Sequence, residues 1–384
     1  MRGHLRERSK GTWAIILDLG RDAAGKRRQK WHSFKGTKRQ AENELARLVT
    51  EMEGGTYIEP VKLTVAAYLR RWLEDQVKPT KSARSYERYE EVIRLHLAPA
   101  LGHLPLAKLT PLDIQGYYTK ALQTGRRNGH KGGLSARTVA QQHVILKSAL
   151  KQAVRWRLIL RNPADAVDPP RAKDREMMCL DEEQSAQVLE AARGTRLYMP
   201  LMLALTTGMR RNEILGLRWR DIDLEGGKLA VRQSLSETRG GIVYKAPKTA
   251  KGRRVIDLLS LTVEALVRHK GEQAQSRLLL GDAYEDNDLV VPRPDGRPNT
   301  PCVVGRMYHD LAKKLGLPTS RFHDLRHTHA TLLLRQGEHP KVVAERLGHS
   351  SVNITLDRYS HVLPDMQEAA ARRLDSTLRK ALGV

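Results

Sequence analysis

The chain has 384 residues, 40% of them hydrophobic and 29% charged, so it can form two or three domains that each bury a core. Its 67 Lys and Arg residues outnumber its 43 Asp and Glu residues, and the net charge of +24 favours a polyanion as partner over a merely solubilising surface. The longest apolar run, at 197–205, is too short to span a bilayer and predicts a buried helix. The two cysteines form neither a disulfide framework nor a metal-ligand cluster. We therefore expect a cytoplasmic protein with no membrane contact and no signal peptide.

Residues 1–58 predict a small β-sheet with one helix. The stretch GTWAIILDLG partly alternates like a half-buried strand, and QKWHSF follows a glycine-containing turn as a second strand. Thr37 and Gln40 fit a capping box for a helix that runs to about Glu53, where two glycines stop it. A module of this size predicts a binding role.

Residues 61–160 are predicted to be helical throughout. Three stretches carry apolar residues at three- and four-residue spacing: TVAAYLRRWLEDQ, SARSYERYEEVIRLHL and SARTVAQQHVILKSALKQAV. The segment holds 18 Lys and Arg against six Asp and Glu, which is half of the chain's excess of positive charge. Its loop at 126–137 has four cations and no anion, which suits contact with DNA phosphates, although a solvated loop is the alternative. The candidate DNA-binding residues are Arg126, Arg127, Lys131 and Arg137.

Residues 161–177 are rich in proline and charge and lack apolar periodicity, so they predict a linker. From 178 to 384 the pattern is mixed. Helical stretches come first, the strand-like KLAVRQSL and GIVYKAPKTAKGRRVIDL follow, and further helices run to the C-terminus. The expected fold is therefore multidomain and mainly α, with small β-sheets in the first and last segments.

The ten residues RFHDLRHTHA, at 321–330, pose a choice between a metal site and a metal-free one. His323 and His327 have the spacing of the H-E-x-x-H of zinc proteases, but Asp324 replaces the glutamate, and a zinc protease also needs a third ligand. On a helix, His323 and Arg326 share one face, from which both can reach one phosphate group. The rest of the chain decides between the two.

Four stretches of the last segment together resemble the tyrosine recombinase family, the phage-type or conjugative-transposon-type site-specific integrases. They are TTGMRRNEILGLRW at 206–219, YKAPKTAKGRRVIDL at 244–258, HDLRHTHA at 323–330 and LGHSSVNITLDRYSHV at 347–362. Any one motif is weak, but the four in series are a strong signal. The resemblance implies a recombinase that cuts and rejoins DNA through a covalent 3′-phosphotyrosine, and so integrates or excises a mobile element.

By this resemblance Tyr359 is the nucleophile, and Arg210 and Arg326 bind the scissile phosphate. Arginine suits a metal-free site because it donates two parallel hydrogen bonds to phosphate and keeps its proton. Arg211 competes with Arg210, but the spacing to Glu213 favours Arg210, so we expect Arg211 at the surface or on a phosphate. Glu213 would orient a basic side chain.

The resemblance assigns proton transfer to a lysine and two histidines. Lys248 would protonate the leaving 5′ oxygen, with Lys245 and Lys251 as nearby alternatives. Of His323 and His349, one would assist proton transfer at the tyrosine and the other would bond a phosphate oxygen.

A zinc hydrolase would leave Arg210, Lys248 and Tyr359 without a role, so we expect a site with no metal and no cofactor. His327 and His329 would then pack or form hydrogen bonds. Since a phosphotyrosyl ester retains the energy of the phosphodiester that it replaces, no ATP is expected either.

The resemblance implies three parts around double-stranded DNA. Residues 1–58 would bind arm sites, 61–160 would be a SAM-like core-binding domain, and 178–384, beyond the linker at 161–177, would be catalytic. Four protomers would join two sites, with DNA-bending and directionality factors as further partners. An apolar stripe near the C-terminus would dock either onto a neighbouring protomer or onto its own domain. It consists of Met366, Ala370, Leu374 and Leu378.

Three alternatives remain beside the integrase. A type IB topoisomerase would relax supercoils as a monomer without site choice, although the N-terminal module argues against it. A chromosome-dimer resolvase would tolerate loss of residues 1–58. A catalytically silent DNA-binding regulator would be unaffected by Tyr359→Phe.

Overall fold

The computed structural model describes residues 3–21, 25, 27–54, 62–126, 132–172, 177–247, 252–317, 321–359 and 366–383. The chain divides into two compact units, Met1–Lys173 and Asp174–Val384. The described residues are mainly helical with small sheets, which confirms the predicted fold class. The finer division of the first unit near residue 60 stays a prediction. Within the described ranges, no helix is both long enough and apolar enough to cross a membrane.

A three-stranded antiparallel sheet and one helix form the N-terminal part of the first unit. In chain order they are β1 (Gly3–Ser9), β2 (Thr12–Arg21), β3 (Arg27–Lys35) and α1 (Lys38–Glu53). Thr37 and Gln40 form the predicted capping box, in which the Gln40 N–H donates to Thr37 Oγ1 over 3.3 Å. Strand β1 was not predicted because, after its first two residues, its sequence LRERS holds a single large apolar side chain.

The described remainder of the first unit is helical, as predicted. Its α-helices are α2 (Val65–Trp72), α3 (Lys78–Thr80), α4 (Ala83–Val92), α5 (Ala98–Leu101), α6 (Pro111–Thr124) and α7 (Ala136–Arg155). A five-residue π-helical segment joins α2 to α3, and another joins α4 to α5. Ser or Thr hydroxyls cap the first turns of α2, α4, α6 and α7, which fixes where each helix begins. Their apolar faces share one core.

The second unit combines helices with two small sheets. Its α-helices are α8 (Glu182–Ala192), α9 (Tyr198–Thr207), α10 (Arg211–Leu215), α11 (Ser260–Leu280), α12 (Pro301–Lys314), α13 (Asp324–Arg335), α14 (Pro340–Leu347), α15 (Val352–Tyr359) and α16 (Met366–Leu382). Its strands are β4 (Ile222–Asp223), β5 (Lys228–Val231), β6 (Ser234–Thr238), β7 (Gly241–Lys245) and β8 (Arg254–Asp257). Strands β4, β5 and β8 form an antiparallel sheet in that order, and β6 and β7 form a hairpin.

Helix α9 is the predicted buried helix, and it frames the site. Its sequence YMPLMLALTT is apolar on nearly every face, and all residues from Met199 to Thr207 are buried. Helix α13 packs against it. Gly208 ends α9 with a φ of 65°, and a Cβ there would lie 2.6 Å from side-chain atoms of His329 and Leu347. Only glycine therefore lets α13 and α14 approach the end of α9 this closely.

Candidate active site

Asp324, the residue that stands where a zinc protease has glutamate, stabilises the start of α13. Its buried carboxylate accepts a hydrogen bond from the Arg321 N–H over 2.7 Å, and its other oxygen lies 3.5 Å from the Arg321 guanidinium. Across the residues that the structure describes, no three His, Cys, Asp or Glu side chains are grouped as metal ligands would be. The aspartate is engaged in a local turn, as helix-capping acids are.

Arg326 is a buried cation that joins the ends of two helices. Its side chain donates to the Gly208 carbonyl over 2.7 Å and to the Leu347 carbonyl over 2.6 Å, where α9 and α14 end. The residue is only 2% exposed. Helix C-termini carry partial negative charge, which favours a guanidinium at this position. Burial lowers the pKa of Arg326 to about 9, and the charge of Arg210 acts in the same direction, so the group stays protonated at neutral pH.

Glu213, which the sequence predicted to orient a basic side chain, binds two of them, Arg210 and Arg254. The Glu213 carboxylate accepts from the Arg210 side chain over 2.8 Å and from the Arg210 N–H over 3.0 Å. It further accepts from Arg254 over 2.9 Å, and the side chains of Glu213 and Arg254 are each 6% exposed. The Arg210 side chain is 41% exposed. Arg210 is thus an accessible arginine that is held in place by a buried ion pair.

The charge of Glu213 is fixed by this network. Burial alone would raise the pKa of its carboxyl, but the adjacent Arg254 and then Arg210 outweigh burial and lower the pKa to about 2. Arg254 is itself held by the Arg346 carbonyl over 2.7 Å. The arrangement keeps a carboxylate ionised beneath Arg210 at any pH at which the protein would act.

Arg254 was not assigned a role from the sequence, although a signal was present. On β8 it lies two residues before Ile256, which is buried, whereas the intervening Val255 is exposed. Successive side chains of a strand point to opposite faces, so Arg254 shares the inward face with Ile256. A cation on an inward face predicts a buried acidic partner, here Glu213.

Next come the residues that competed with Arg210 and Lys248 for their roles, together with Lys248 itself. Arg211 was expected at the surface or on a phosphate, but it is half-buried, and its guanidinium lies against Gly305 of α12. Burial lowers its pKa. Lys245 is the last residue of β7. The proposed general acid Lys248 and its alternative Lys251 lie outside the described residues.

His349 follows α14 and is oriented by a threonine of α15. Its Nδ1 lies 2.8 Å from the Oγ1 of Thr355, which is fully buried. Burial lowers the pKa of His349 to about 3, and the charges of Arg326 and Arg210 add to this effect. The imidazole is therefore neutral, and if the Thr355 hydroxyl donates to Nδ1, the Nε2–H remains available as a donor.

Tyr359, the last residue of α15, is 1% exposed. Its hydroxyl lies 2.6 Å from the Nδ1 of His327, which is also buried. Burial raises the pKa of the phenol, and the charge of Arg326 opposes that rise only in part. In this structure the hydroxyl is thus protonated and withdrawn from solvent.

The three histidines of α13 and its N-terminal cap have different surroundings. His323 is exposed as a residue, but its ring packs edge-on to His327 at a centroid distance of 5.3 Å. Desolvation of this ring and the charge of Arg326 lower the pKa of His323. His329 lies 2.7 Å from the Leu205 carbonyl through Nδ1, and Arg346 donates to its Nε2 over 3.1 Å. The expectation that His327 and His329 form hydrogen bonds is confirmed.

Five of the six predicted site residues share one electrostatic neighbourhood in the second unit. They are Arg210, His323, Arg326, His349 and Tyr359. They come from separate stretches of sequence that α9, α13, α14 and α15 bring together. The cluster combines cationic donors, neutral imidazoles and a phenol, a set that can bind a phosphate oxygen and transfer a proton.

The candidate DNA-binding residues of the first unit are described in part. Arg126 is exposed just after α6, and its N–H donates to the Gly132 carbonyl over 3.2 Å. Arg137 is exposed in the first turn of α7. Arg127 and Lys131 lie outside the described residues. The two described arginines therefore lie at the helix ends that flank the basic loop.

With this geometry in view, comparisons with known proteins give a consistent result. The chain matches the phage integrase family over residues 178–366 and the SAM-like N-terminal domain of phage integrases over residues 64–122. It is 27% identical over 386 aligned positions to a protein named "Tyrosine recombinase XerC-like" from Caldanaerobacter subterraneus subsp. tengcongensis, covering 95% of this chain and 96% of that protein.

Two solved structures share the fold. One is the Tn1549 transposon integrase in complex with a circular intermediate DNA, with a TM-score of 0.68 and 23% identity over 81% of this chain and 99% of the other. The second is a lambda integrase tetramer bound to a Holliday junction, with a TM-score of 0.52 and 19% identity over 90% and 95% of the two chains. Both likenesses concern the arrangement of helices and small sheets.

Proposed function

This chain belongs to the phage integrase family and is a site-specific tyrosine recombinase, and from that premise we propose which of its residues perform the reaction. The nucleophile is Tyr359, and Arg210 and Arg326 bind the scissile phosphate. The observation that supports these roles is the convergence of both arginines with the tyrosine and two histidines in one cluster, in which Arg326 and Tyr359 are buried. No one of the motifs would carry the proposal alone.

The chemistry follows from these groups. The Tyr359 oxygen attacks phosphorus, a bond forms between them, and the bond from phosphorus to the 5′ oxygen breaks. The phenol proton passes to the imidazole of His323, an exposed residue of the cluster, while His349 donates through Nε2 to a nonbridging oxygen. Charge that accumulates on those oxygens is stabilised by the two guanidinium groups, which are fixed before substrate binds.

The leaving 5′ oxygen takes its proton from Lys248. This residue falls, by its number, in the connection between the hairpin strand β7 and strand β8. The reverse sequence of steps, with a 5′ hydroxyl from a second strand as nucleophile, rejoins DNA and frees the tyrosine. No metal, cofactor or ATP enters any step.

The remaining parts of the chain bind and organise DNA. We assign residues 61–160 to the core site, with Arg126, Arg127, Lys131 and Arg137 on phosphates, and residues 1–58 to arm sites. Residues 161–177 link them to the catalytic domain at 178–384. The excess of positive charge in 61–160 supports this assignment, because phosphate contacts dominate the affinity for DNA. A DNA substrate of this kind implies action in the cytoplasm of a bacterium or a phage-infected host.

Four protomers synapse two sites, and α16 joins neighbours. Leu374, Leu378 and Leu382 recur every four residues on α16, and they are 61%, 51% and 74% exposed. A narrow apolar stripe that its own unit leaves exposed fits a partner protomer better than it fits the home domain. The side chains of Met366 and Ala370, which began the predicted stripe, lie outside the described set. DNA-bending and directionality factors would act on this assembly.

The test is formation of a covalent adduct. A nicked suicide duplex drawn from DNA that flanks the gene is incubated with the protein in EDTA, and SDS-resistant, protease-sensitive bands are sought. We expect a band with the natural chain and none with Tyr359→Phe. A band that survives Tyr359→Phe overturns the assignment of the nucleophile, and tight binding without any band favours the silent regulator.

A second test concerns assembly. Removing residues 365–384 is expected to abolish recombination between two sites while a single protomer still binds a half-site. Full recombination by the truncated chain would contradict docking of α16 on a neighbour.

A further inference from the structure

One buried histidine that contacts the cluster has no part in the proposed reaction. His327 lies on α13 directly after Arg326, is 6% exposed, and contacts the Tyr359 hydroxyl through Nδ1 at 2.6 Å. The two residues are 32 positions apart in sequence, and their ring centroids are 5.8 Å apart. A contact so short between two buried polar groups is specific, because each would otherwise be desolvated without a partner.

The charges around His327 keep its imidazole neutral. His327 faces His323, Asp324 and Arg326 on its own segment and Arg358 on α15, so the cations outnumber the single carboxylate. Burial lowers its pKa to about 4, and these cations oppose a further positive charge. In the neutral tautomer that is protonated at Nε2, the imidazole accepts at Nδ1, and the protonated phenol donates to it. The pair therefore stores the tyrosine as a neutral phenol.

The position of Tyr359 is incompatible with attack on duplex DNA. A phosphate in a duplex cannot reach an oxygen on a side chain that is 1% exposed. The hydroxyl must leave Nδ1 of His327 before it meets phosphorus, whether by rotation of the side chain or by movement of α15. Thr355, one turn earlier on α15, holds His349 at 2.8 Å, so α15 is attached to the cluster at two points.

We propose that His327 is a positioning residue that holds the Tyr359 phenol in a withdrawn state of the DNA-free protein, so that its release precedes cleavage. The inference rests on the proposed function of Tyr359 as nucleophile. The hydrogen bond stabilises the withdrawn state, and its free energy sets how far it lowers the population of molecules that can attack DNA. His327 acts through Tyr359 and does not touch the phosphate.

The discriminating variants replace the acceptor with an apolar side chain, and the control variant keeps an acceptor. His327→Phe keeps a ring but removes Nδ1, which leaves the buried phenol unsatisfied in the withdrawn state. His327→Asn is the matched control, because the end of its short side chain lies near the position of Nδ1 and can accept the same hydrogen bond. His327→Leu is a second apolar variant, to be used if the phenylalanine variant does not fold.

Two measurements on the full chain test the proposal. All 11 tyrosines are replaced by 3-fluorotyrosine, and the fluorine resonance missing from Tyr359→Phe identifies Tyr359. In the DNA-free protein, His327→Phe should move this resonance towards its value in unfolded chain, whereas His327→Asn should leave it near its original position. On the nicked suicide duplex, His327→Phe should form adduct about 5- to 30-fold faster, the factor that corresponds to one lost buried hydrogen bond.

The outcomes separate cleanly. An unmoved resonance in His327→Phe overturns the proposal, since the phenol would then be held by packing alone. Slower adduct formation in His327→Phe that His327→Asn restores also overturns it, and would make His327 a participant in the chemistry. If Tyr359→Phe still forms the adduct, the proposed nucleophile is wrong. The fluorine measurement is independent of that result, because it reports the contact between His327 and Tyr359 in the DNA-free protein.

Discussion

The charged side chains of the helical segment at 62–172 and those beneath Arg210 are held in opposite ways. Arg71 and Asp75 pair over 3.1 Å within one helical stretch, and both side chains are more than half exposed. Glu213 and Arg254 pair over 2.9 Å between a helix and a strand, and both are buried. Exposed ion pairs add little stability, and their cations remain free to bind a phosphate in place of water. A buried ion pair fixes the geometry of its side chains, and removing one partner is strongly destabilising because the other charge stays buried. The first arrangement suits a DNA-binding surface, and the second suits a preorganised site.

The largest expected effect comes from breaking the buried pair. Arg254→Met should destabilise the catalytic unit by about 3–5 kcal/mol, because Glu213 would keep its charge in a buried position with Arg210 alone as partner. Chemical denaturation followed by circular dichroism measures the loss. Arg253→Met, one residue earlier and exposed, is the matched control and should cost less than about 0.5 kcal/mol. Similar small losses in both variants would show that the network is not structural.

A pH titration of protein stability tests the same difference between buried and exposed ionisable groups. Burial lowers the pKa of His329 to about 4, from an ordinary value of 6.5. Because the folded state binds the proton less tightly than the unfolded state, this contribution to stability is complete above pH 6.5 and declines as the pH falls towards 4. Between pH 7 and pH 5 His329 alone should account for a loss of about 2 kcal/mol.

Denaturant midpoints of the natural chain and of His329→Gln, recorded across this range, isolate the effect. The variant cannot bind the proton, so its free energy of unfolding should fall less steeply with decreasing pH. Equal slopes in the two proteins would assign the pH dependence to other groups.

An intermediate effect is expected where a hydrogen bond orients a proposed catalytic group. Thr355→Val removes the hydroxyl that contacts His349 Nδ1 while preserving the shape of the side chain. Adduct formation should slow about tenfold, which corresponds to one hydrogen bond of about 1.4 kcal/mol. Thr355→Ser should restore most of the rate. If valine and serine behave alike, packing of α15 and not the hydroxyl positions His349.

The smallest effect is expected at the surface of the helical segment. Arg71→Ala should change the free energy of unfolding by less than about 1 kcal/mol, because its pair with Asp75 is exposed and screened by salt. Thermal denaturation at low and high salt measures this. A loss comparable to that of Arg254→Met would erase the distinction between the two regions.

Much of the fold and of the candidate site was predictable because its signals are local. The capping box at Thr37 fixes the start of α1 through residues three apart, and α9 is recognisable as buried from its unbroken apolar sequence. The series of motifs likewise predicted which Arg, His and Tyr residues cluster. Strand β1 escaped prediction because its sequence offers little apolar alternation.

The sequence by itself determined the family, most of the helical and sheet segments and the residue types at the site. Only the tertiary structure decided which partners those residues have. Glu213 meets Arg254 across 41 positions and His327 meets Tyr359 across 32, and no periodicity of one segment encodes such contacts. They depend on how α10 meets β8 and how α13 meets α15. Burial in that packing then sets the pKa values, because a charge removed from water is stable only beside a compensating group.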